Sequence, residues 1–350
     1  MIVIISITLF KTILIMFSQT TLCIVLTLAF ITQVSSQDID STLLTTTGSI
    51  DTYFRLNLNA DYDASPATSF ANLPSFALGM ANVNATYYKK KAGITLDLVV
   101  GPRGEDATFL SPFLRPGGTS SIVNQLFTFV DITDRIKVTL GNFNTFLGYE
   151  MISPTENFNY STSYMFSYGP FSHTGLKIEF DIGRGLTLMT GVFNPTDATE
   201  YNPTNDYTFG AQLGYANDDL YMNFNTLTDG DYYQVDLTAG LQMTENLFGG
   251  INTTYATDAF AGYALYLQYI LSEDLTIGTR VERFIDKGIE AIGAAEQDVV
   301  DVTLTANYKI ENLTLIPEIR IDKASQEIFP TNTEFEKSLS SFVLAAVYDF

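Results

Sequence analysis

Seven times the chain leaves a short polar turn on an apolar residue and then alternates: Gly93-Ile94-Thr95-Leu96, Arg135-Ile136-Lys137-Val138, Gly185-Leu186-Thr187-Leu188, Asp219-Leu220-Tyr221-Met222, Asn246-Leu247-Phe248-Gly249, Asp274-Leu275-Thr276-Ile277 and Asn312-Leu313-Thr314-Leu315. Period-2 alternation sends successive side chains to opposite faces of a sheet, so each unit reads as the entry to a β-strand. The same pattern predicts strands at about 49–61, 76–88, 92–101, 122–131, 135–144, 174–182, 185–194, 206–217, 219–228, 231–242, 246–257, 260–272, 274–284, 298–310, 312–322 and 339–350, with no helical stretch between them. The architecture this favours is all-β: a transmembrane antiparallel up-and-down β-barrel of about 16 strands, within a range of 14–18.

The connections divide into two sets. Short ones, such as Lys89-Lys90-Lys91, Gly183-Arg184, Ser272-Glu273 and Ile310-Glu311, take every second position. The others are long, at 62–75, 102–121, 145–173, 195–205, 285–297 and 323–338, with two tight exceptions near Asp229-Gly230 and Thr257-Asp258. Alternate connections of an up-and-down barrel lie on opposite sides of the membrane, so this sorting matches short periplasmic turns and longer outer loops. Greek-key crossings in a sandwich give no reason for it.

The two parities of the strands differ in kind. One carries Leu176, Ile178 and Phe180, or Phe209, Ala211, Leu213 and Tyr215; the other carries Lys177 and Glu179, or Thr208, Gly210, Gln212 and Gly214. A barrel of this many strands is too wide for side chains to fill, so a lumen is expected on the polar side. Tyrosine and phenylalanine sit often at strand ends, where interfacial girdles belong, although the chain has no tryptophan. The final strand, Phe342-Val343-Leu344-Ala345-Ala346-Val347-Tyr348-Asp349-Phe350, ends on an aromatic and resembles the C-terminal signal that the barrel assembly machinery recognises, with Ala345 where that signal often has glycine.

Residues 1–36 hold a single charge, Lys11, and two apolar runs, and Val34-Ser35-Ser36 offers small residues for signal-peptide cleavage. This places the mature start near Gln37, with Met16 an alternative initiation site, followed by a polar lead at 37–47 and a barrel at 48–350. The only cysteine, Cys23, falls inside the signal, so backbone pairing and apolar burial must hold the mature chain without disulfides. Beyond Ser36 there are 17 basic and 39 acidic residues. That balance excludes nucleic acid as a natural partner and suits an outer surface bathed in divalent cations.

From Val123 to Asp197 the chain resembles the OmpL-like β-barrel porin family of Bacteroidota-type outer membranes. The residues that carry this are Gly141-Asn142-Phe143-Asn144-Thr145-Phe146-Leu147-Gly148-Tyr149-Glu150, Asn159-Tyr160-Ser161, Pro170-Phe171-Ser172-His173-Thr174-Gly175 and Gly191-Val192-Phe193-Asn194. Family motifs often carry lysine and arginine where this chain has Asn142 and Thr162. The resemblance implies an outer-membrane channel of the Gram-negative type, in contact with outer-membrane lipid and able to form oligomers.

Residues 145–173 form the longest connection and the third on the outer side, the position that folds into the lumen of porins. Glu150, Glu156, Tyr149 and Tyr160 are the candidates for a constriction, where carboxylates set ion preference by Coulomb interaction in confined water. Inward-parity bases Arg55, Lys137, Lys177, Arg280 and Arg320 either oppose that loop across the pore or, more simply, pair with Asp97, Glu179, Asp236, Glu282 and Glu318 on neighbouring strands. His173 is the only histidine, which argues against zinc, and no nucleophile elbow accompanies it. No cofactor, metal or catalytic residue is expected. The function favoured is passive diffusion of small hydrophilic solutes or ions. A non-conducting outer-membrane barrel acting in surface binding or adhesion is the alternative, and a secreted soluble β-sandwich is a more distant one.

Overall fold

The computed structural model describes residues 42–291, 298–331 and 333–350. The expected signal at 1–36 lies outside the described residues, as does the start of the polar lead. The first half of the sheet runs β1 (Thr42–Asn57), β2 (Ser75–Lys89), β3 (Ala92–Val100), β4 (Val123–Thr133), β5 (Ile136–Asn144), β6 (Ser172–Gly183), β7 (Leu186–Phe193) and β8 (Thr208–Ala216). It continues with β9 (Leu220–Thr228), β10 (Tyr233–Thr244), β11 (Leu247–Ala256), β12 (Phe260–Ser272), β13 (Leu275–Asp286), β14 (Asp298–Ile310) and β15 (Leu313–Ala324). A two-residue hairpin, β16 (Phe329–Pro330) and β17 (Phe335–Glu336), stands apart from the sheet, and β18 (Ser338–Asp349) completes it.

Each barrel strand pairs antiparallel with its chain neighbours, and β1 pairs with both β2 and β18, so sixteen strands close without an edge. Closure pairs the backbone groups of neighbouring strands within the sheet over their shared length, as a lipid environment requires. The seven short connections are tight. At the β6–β7 turn Arg184 and Gly185 both have positive φ, 57° and 79°, the backbone that a type I′ hairpin needs.

The two parities are sorted in the inverse of a soluble protein. Asp51, Arg55, Asp97, Asp236, Arg280, Glu282, Asp301 and Arg320 are buried inside, while Ile50, Leu78, Ile94, Leu140, Phe209, Leu265, Leu304 and Leu344 are exposed outside. An apolar belt of that extent in water far exceeds the few hundred Å² a soluble monomer exposes, whereas lipid tails cover it at no cost. Tyr87, Tyr269, Tyr308 and Tyr348 ring the short-turn end, and Phe76, Phe209, Tyr233 and Tyr263 ring the long-loop end, all on the outer face. No helix among the described residues is long and apolar enough to cross a membrane.

Two expectations need correcting. β1 begins at Thr42, so Thr42–Thr47 of the polar lead are strand, paired with Lys89–Asn84 of β2. β-branched threonines suit a strand, and the length of β2 supplies a partner that local hydropathy did not reveal. The long connections also contain short helices, Pro102–Ala107, Ser111–Leu114 and Tyr164–Tyr168, where only loop was expected.

Candidate functional site: the third long loop and the inner wall

The loop between β5 and β6, residues 145–171, is bound to the inward-facing side chains of the wall. Its sequence explains its local form. Ser163 caps the helix Tyr164–Tyr168, its hydroxyl accepting the Phe166 N–H at 3.1 Å. The first-turn N–H groups of Tyr164 and Met165, which a helix leaves without partners, both donate to the Glu282 carboxylate of β13 at 2.7 Å. One turn of chain earlier, Tyr160 and Ser161 donate their N–H groups to Glu318 of β15 at 2.9 and 3.0 Å. Gly148 donates to Asp236 of β10 at 3.0 Å.

Tyrosine hydroxyls add a second layer of contacts. Tyr160 donates to Asp51 of β1 at 2.5 Å, and Tyr164 donates to Asp322 of β15 at 2.9 Å. Burial, followed by repulsion from those carboxylates, keeps both loop phenols well above their ordinary range. They are fixed as neutral donors.

Arginines close the arrangement from the wall side. Arg280 of β13 holds Asp301 at 2.7 Å and the loop's Glu150 at 2.8 Å, and donates to the Ser161 carbonyl at 2.7 Å. Arg320 of β15 holds Asp322 at 2.8 Å, reaches Asp301 at 3.5 Å and donates to the Thr162 carbonyl at 2.7 Å. Charges in a dry setting persist only when paired and hydrogen-bonded, and here each is.

The expected site residues therefore fall into distinct places. Glu150 is 5 % exposed and engaged by Arg280 and the Ser163 N–H, so its carboxylate does not face open solvent. Glu156 is exposed in the turn Pro154–Glu156; desolvation and then the charge of Asp97 raise its carboxyl. Tyr149 stacks on Tyr266 of β12 with ring centres 4.1 Å apart, and Tyr160 is fully buried. Arg55 is turned to another loop, donating to the carbonyls of Ala64 and Asn72 at 3.0 and 3.3 Å. Lys137 lies 4.0 Å from Asp131 and Lys177 lies 3.5 Å from Glu179, both in the more open part of the wall.

Of the carboxylates expected to pair with these bases, Glu179 does so. Asp236, Glu282 and Glu318 accept loop N–H groups instead, and Asp97 accepts from Asn82 and Asn124 at 3.2 and 2.6 Å. The partners of the buried arginines, Asp301 and Asp322, were not singled out from the sequence. A signal existed: Arg280-x-Glu282 and Arg320-x-Asp322 place both members on the inner parity, and Asp301 sits on the inner parity of the strand between them. His173 is buried in a cage of Phe143, Phe146 and Phe193, and its Nε2 is 2.9 Å from the Thr145 hydroxyl. No cluster of potential metal ligands occurs among the described residues.

A closed sixteen-strand barrel with lipid-type residues outside, charge inside and a loop bound to its inner wall belongs to the class of outer-membrane porin barrels. The family model described as "Putative beta-barrel porin-2, OmpL-like" matches residues 43–350, and the chain belongs to that family. It is an outer-membrane, multi-pass β-barrel. Comparison with curated proteins gives no match. Among solved structures the fold is similar to Pseudomonas putida OprB, with a TM-score of 0.60 at 12% identity over 88% of this chain and 94% of that one. It is also similar to an anion-selective porin from Comamonas acidovorans, with a TM-score of 0.55 at 11% identity over 89% of this chain and 100% of that one. A mutant of the Rh. blastica porin matches with a TM-score of 0.54 at 13% identity, over 88% of this chain and 100% of that one.

Proposed function

We propose that this porin passes small hydrophilic solutes and ions by passive diffusion, without catalysis, and that residues 145–173 narrow its lumen. The observation that carries the reading is the attachment of the loop to inward-facing groups of β1, β10, β13 and β15 through its own N–H groups and tyrosine hydroxyls. A loop merely covering the mouth would not need bonds to side chains deep on the strands. In this reading the membrane lipid covers the apolar belt, Phe350 ends the strand presented to the assembly machinery, and residues 1–36 direct export. Purified protein in planar bilayers should give discrete conductance steps. A folded, heat-modifiable barrel that gives none would overturn the reading.

One observation favours the alternative of a non-conducting surface-binding barrel. Two other long connections pack onto the third: Phe70 lies 5.7 Å from Phe166, Ser69 N–H donates to Ser167 at 2.9 Å, and Arg103 donates to the Ile152 carbonyl at 2.7 Å. Three loops thus share the outer mouth. The same bilayer recording separates the two readings.

A further inference from the structure

The charged inner wall is not what a solute beneath the loop would touch. Arg280, Glu282, Asp301, Glu318, Arg320 and Asp322 are each 2 % exposed or less, spent on one another and on the loop. Below them, toward the short-turn rim, a cavity of about 490 Å³ opens under Tyr149 and Phe158 of the loop. That lies within the roughly 300–1,000 Å³ span of small-molecule sites.

Its lining is of two kinds. Tyr149, Phe158 and Phe248 supply partly exposed aromatic rings, and Gln242, Gln268, Asn307 and Thr276 supply neutral donors and acceptors. The rings are seated by missing side chains. A Cβ at Gly278 would fall 2.4 Å from the Phe158 ring, one at Gly250 2.5 Å from the Tyr149 hydroxyl, and one at Gly240 2.6 Å from Phe248. Tyr149 is further fixed by its stack on Tyr266, and Phe158 by the bond from Asn307 Nδ2 to its carbonyl at 3.2 Å. The Asn307 Oδ1 is buried and accepts no bond. Glu273, Asp274 and Lys309 also line it, on the side of the short turns.

Fixed aromatic faces beside uncharged amides match a ligand that has apolar C–H faces and hydroxyl edges. We propose that this vestibule is a binding site for neutral saccharides, in which the rings stack on sugar faces and Gln242 and Gln268 bond the hydroxyls. The proposal rests on the porin reading for access of solute to the lumen.

The test uses maltotriose, with a polyethylene glycol of equal hydrodynamic size as the control for simple obstruction. In planar bilayers, maltotriose should give saturable block of the ion current in the millimolar range, and the polymer only a shallow, non-saturating decrease. Phe158→Ala and Gln268→Ala should each raise the half-blocking concentration about tenfold, the loss of one stacking or bonding contact. Phe158→Leu keeps the bulk over Gly278 but not the flat face, and should weaken block likewise, which guards against a variant that fails to fold. Steady conductance with no saturable block overturns the saccharide site and leaves the porin reading standing. If the folded protein gives no conductance, the porin reading fails, and calorimetric titration of the detergent-solubilised protein with maltotriose decides the site: heat of binding lost in Phe158→Leu upholds it, and no heat overturns it.

Discussion

The barrel has two unlike halves. Along β13–β15 and β1, in the part toward the long loops, the inner wall is charged, closed and covered by the third loop; along β4–β9 it carries Gln125, Phe127, Phe129, Lys137, Lys177, Gln212 and Asn223, all at least partly exposed. The number of charges is therefore a poor guide to where solute meets charge. On the first side, charge is a fastening device, with carboxylates chosen because two oxygens can accept two consecutive loop N–H groups. On the second, Asp131, Lys137, Lys177 and Glu179 stand in reach of water.

The largest effect expected from this contrast is at Glu282. Glu282→Ala leaves the Tyr164 and Met165 N–H groups buried without acceptors, at a cost of about 2–5 kcal/mol to the attachment of the loop. The loop should detach while the barrel persists, so unitary conductance should rise and protease should cut between 145 and 171 in folded protein. Unchanged conductance and protection would mean that the loop is held by packing, not by its carboxylates. Tyr160→Phe is a milder version, since Asp51 keeps its bond from the Met80 N–H at 2.8 Å. Losing one hydroxyl bond to a charged acceptor costs about 1.5–3 kcal/mol, read as faster hydrogen exchange at loop amides 160–165.

How far these halves were legible in the sequence depends on range. Strand positions and the alternation of short and long connections follow from local period-2 patterning, so β12 and β14 are read to the residue. The start of β1 was not, because its polar threonines become strand only through pairing with β2. Glu150 could be picked out as a loop carboxylate, yet nothing local says that Arg280, 130 positions away, will bury it. Glu318 and Glu282 were visible as inward charges. That they would take backbone N–H groups rather than lysines or arginines depends on the third loop arriving from another part of the chain, with Tyr160 and Ser161 at Glu318 and a helix N-terminus at Glu282. The aromatic seats show the same limit: Gly250 and Gly278 look like weak strand residues until Tyr149 and Phe158 lie over them.

The open half should respond in selectivity rather than stability. Lys177 is about one-fifth exposed and lies over the Phe143 ring at 4.8 Å as well as near Glu179. Lys177→Glu places two like charges on adjacent inward positions in a wet wall, where an exposed pair is worth only about 0–1 kcal/mol. The reversal potential in a salt gradient should move toward cations, with the thermal midpoint almost unchanged. The same reversal of sign inside the closed half, Arg280→Glu, would instead disrupt the fastening. Equal selectivity shifts from both positions would erase the distinction between the halves.

The smallest effect concerns Asp197, outside the strands at the edge between the loop and β6. Its Oδ1 accepts the N–H groups of Phe171 and Ser172 at 2.9 and 2.8 Å, and desolvation, partly offset by those bonds, pushes its carboxyl up to about 6. A carboxyl that protonates more readily folded than unfolded gives a native state that binds more protons between the two values. Its contribution thus favours folding as pH falls from above 6 toward 4, and becomes a penalty as pH rises through 6. Asp197→Asn keeps an oxygen for the two N–H groups and removes the charge. The thermal midpoint of the variant relative to the parent should therefore climb between pH 4.5 and pH 8, by an amount corresponding to about 1 kcal/mol. Because every other acidic group titrates in both proteins, the difference isolates this one, and a flat difference would show that the two N–H bonds offset the burial of the carboxylate completely.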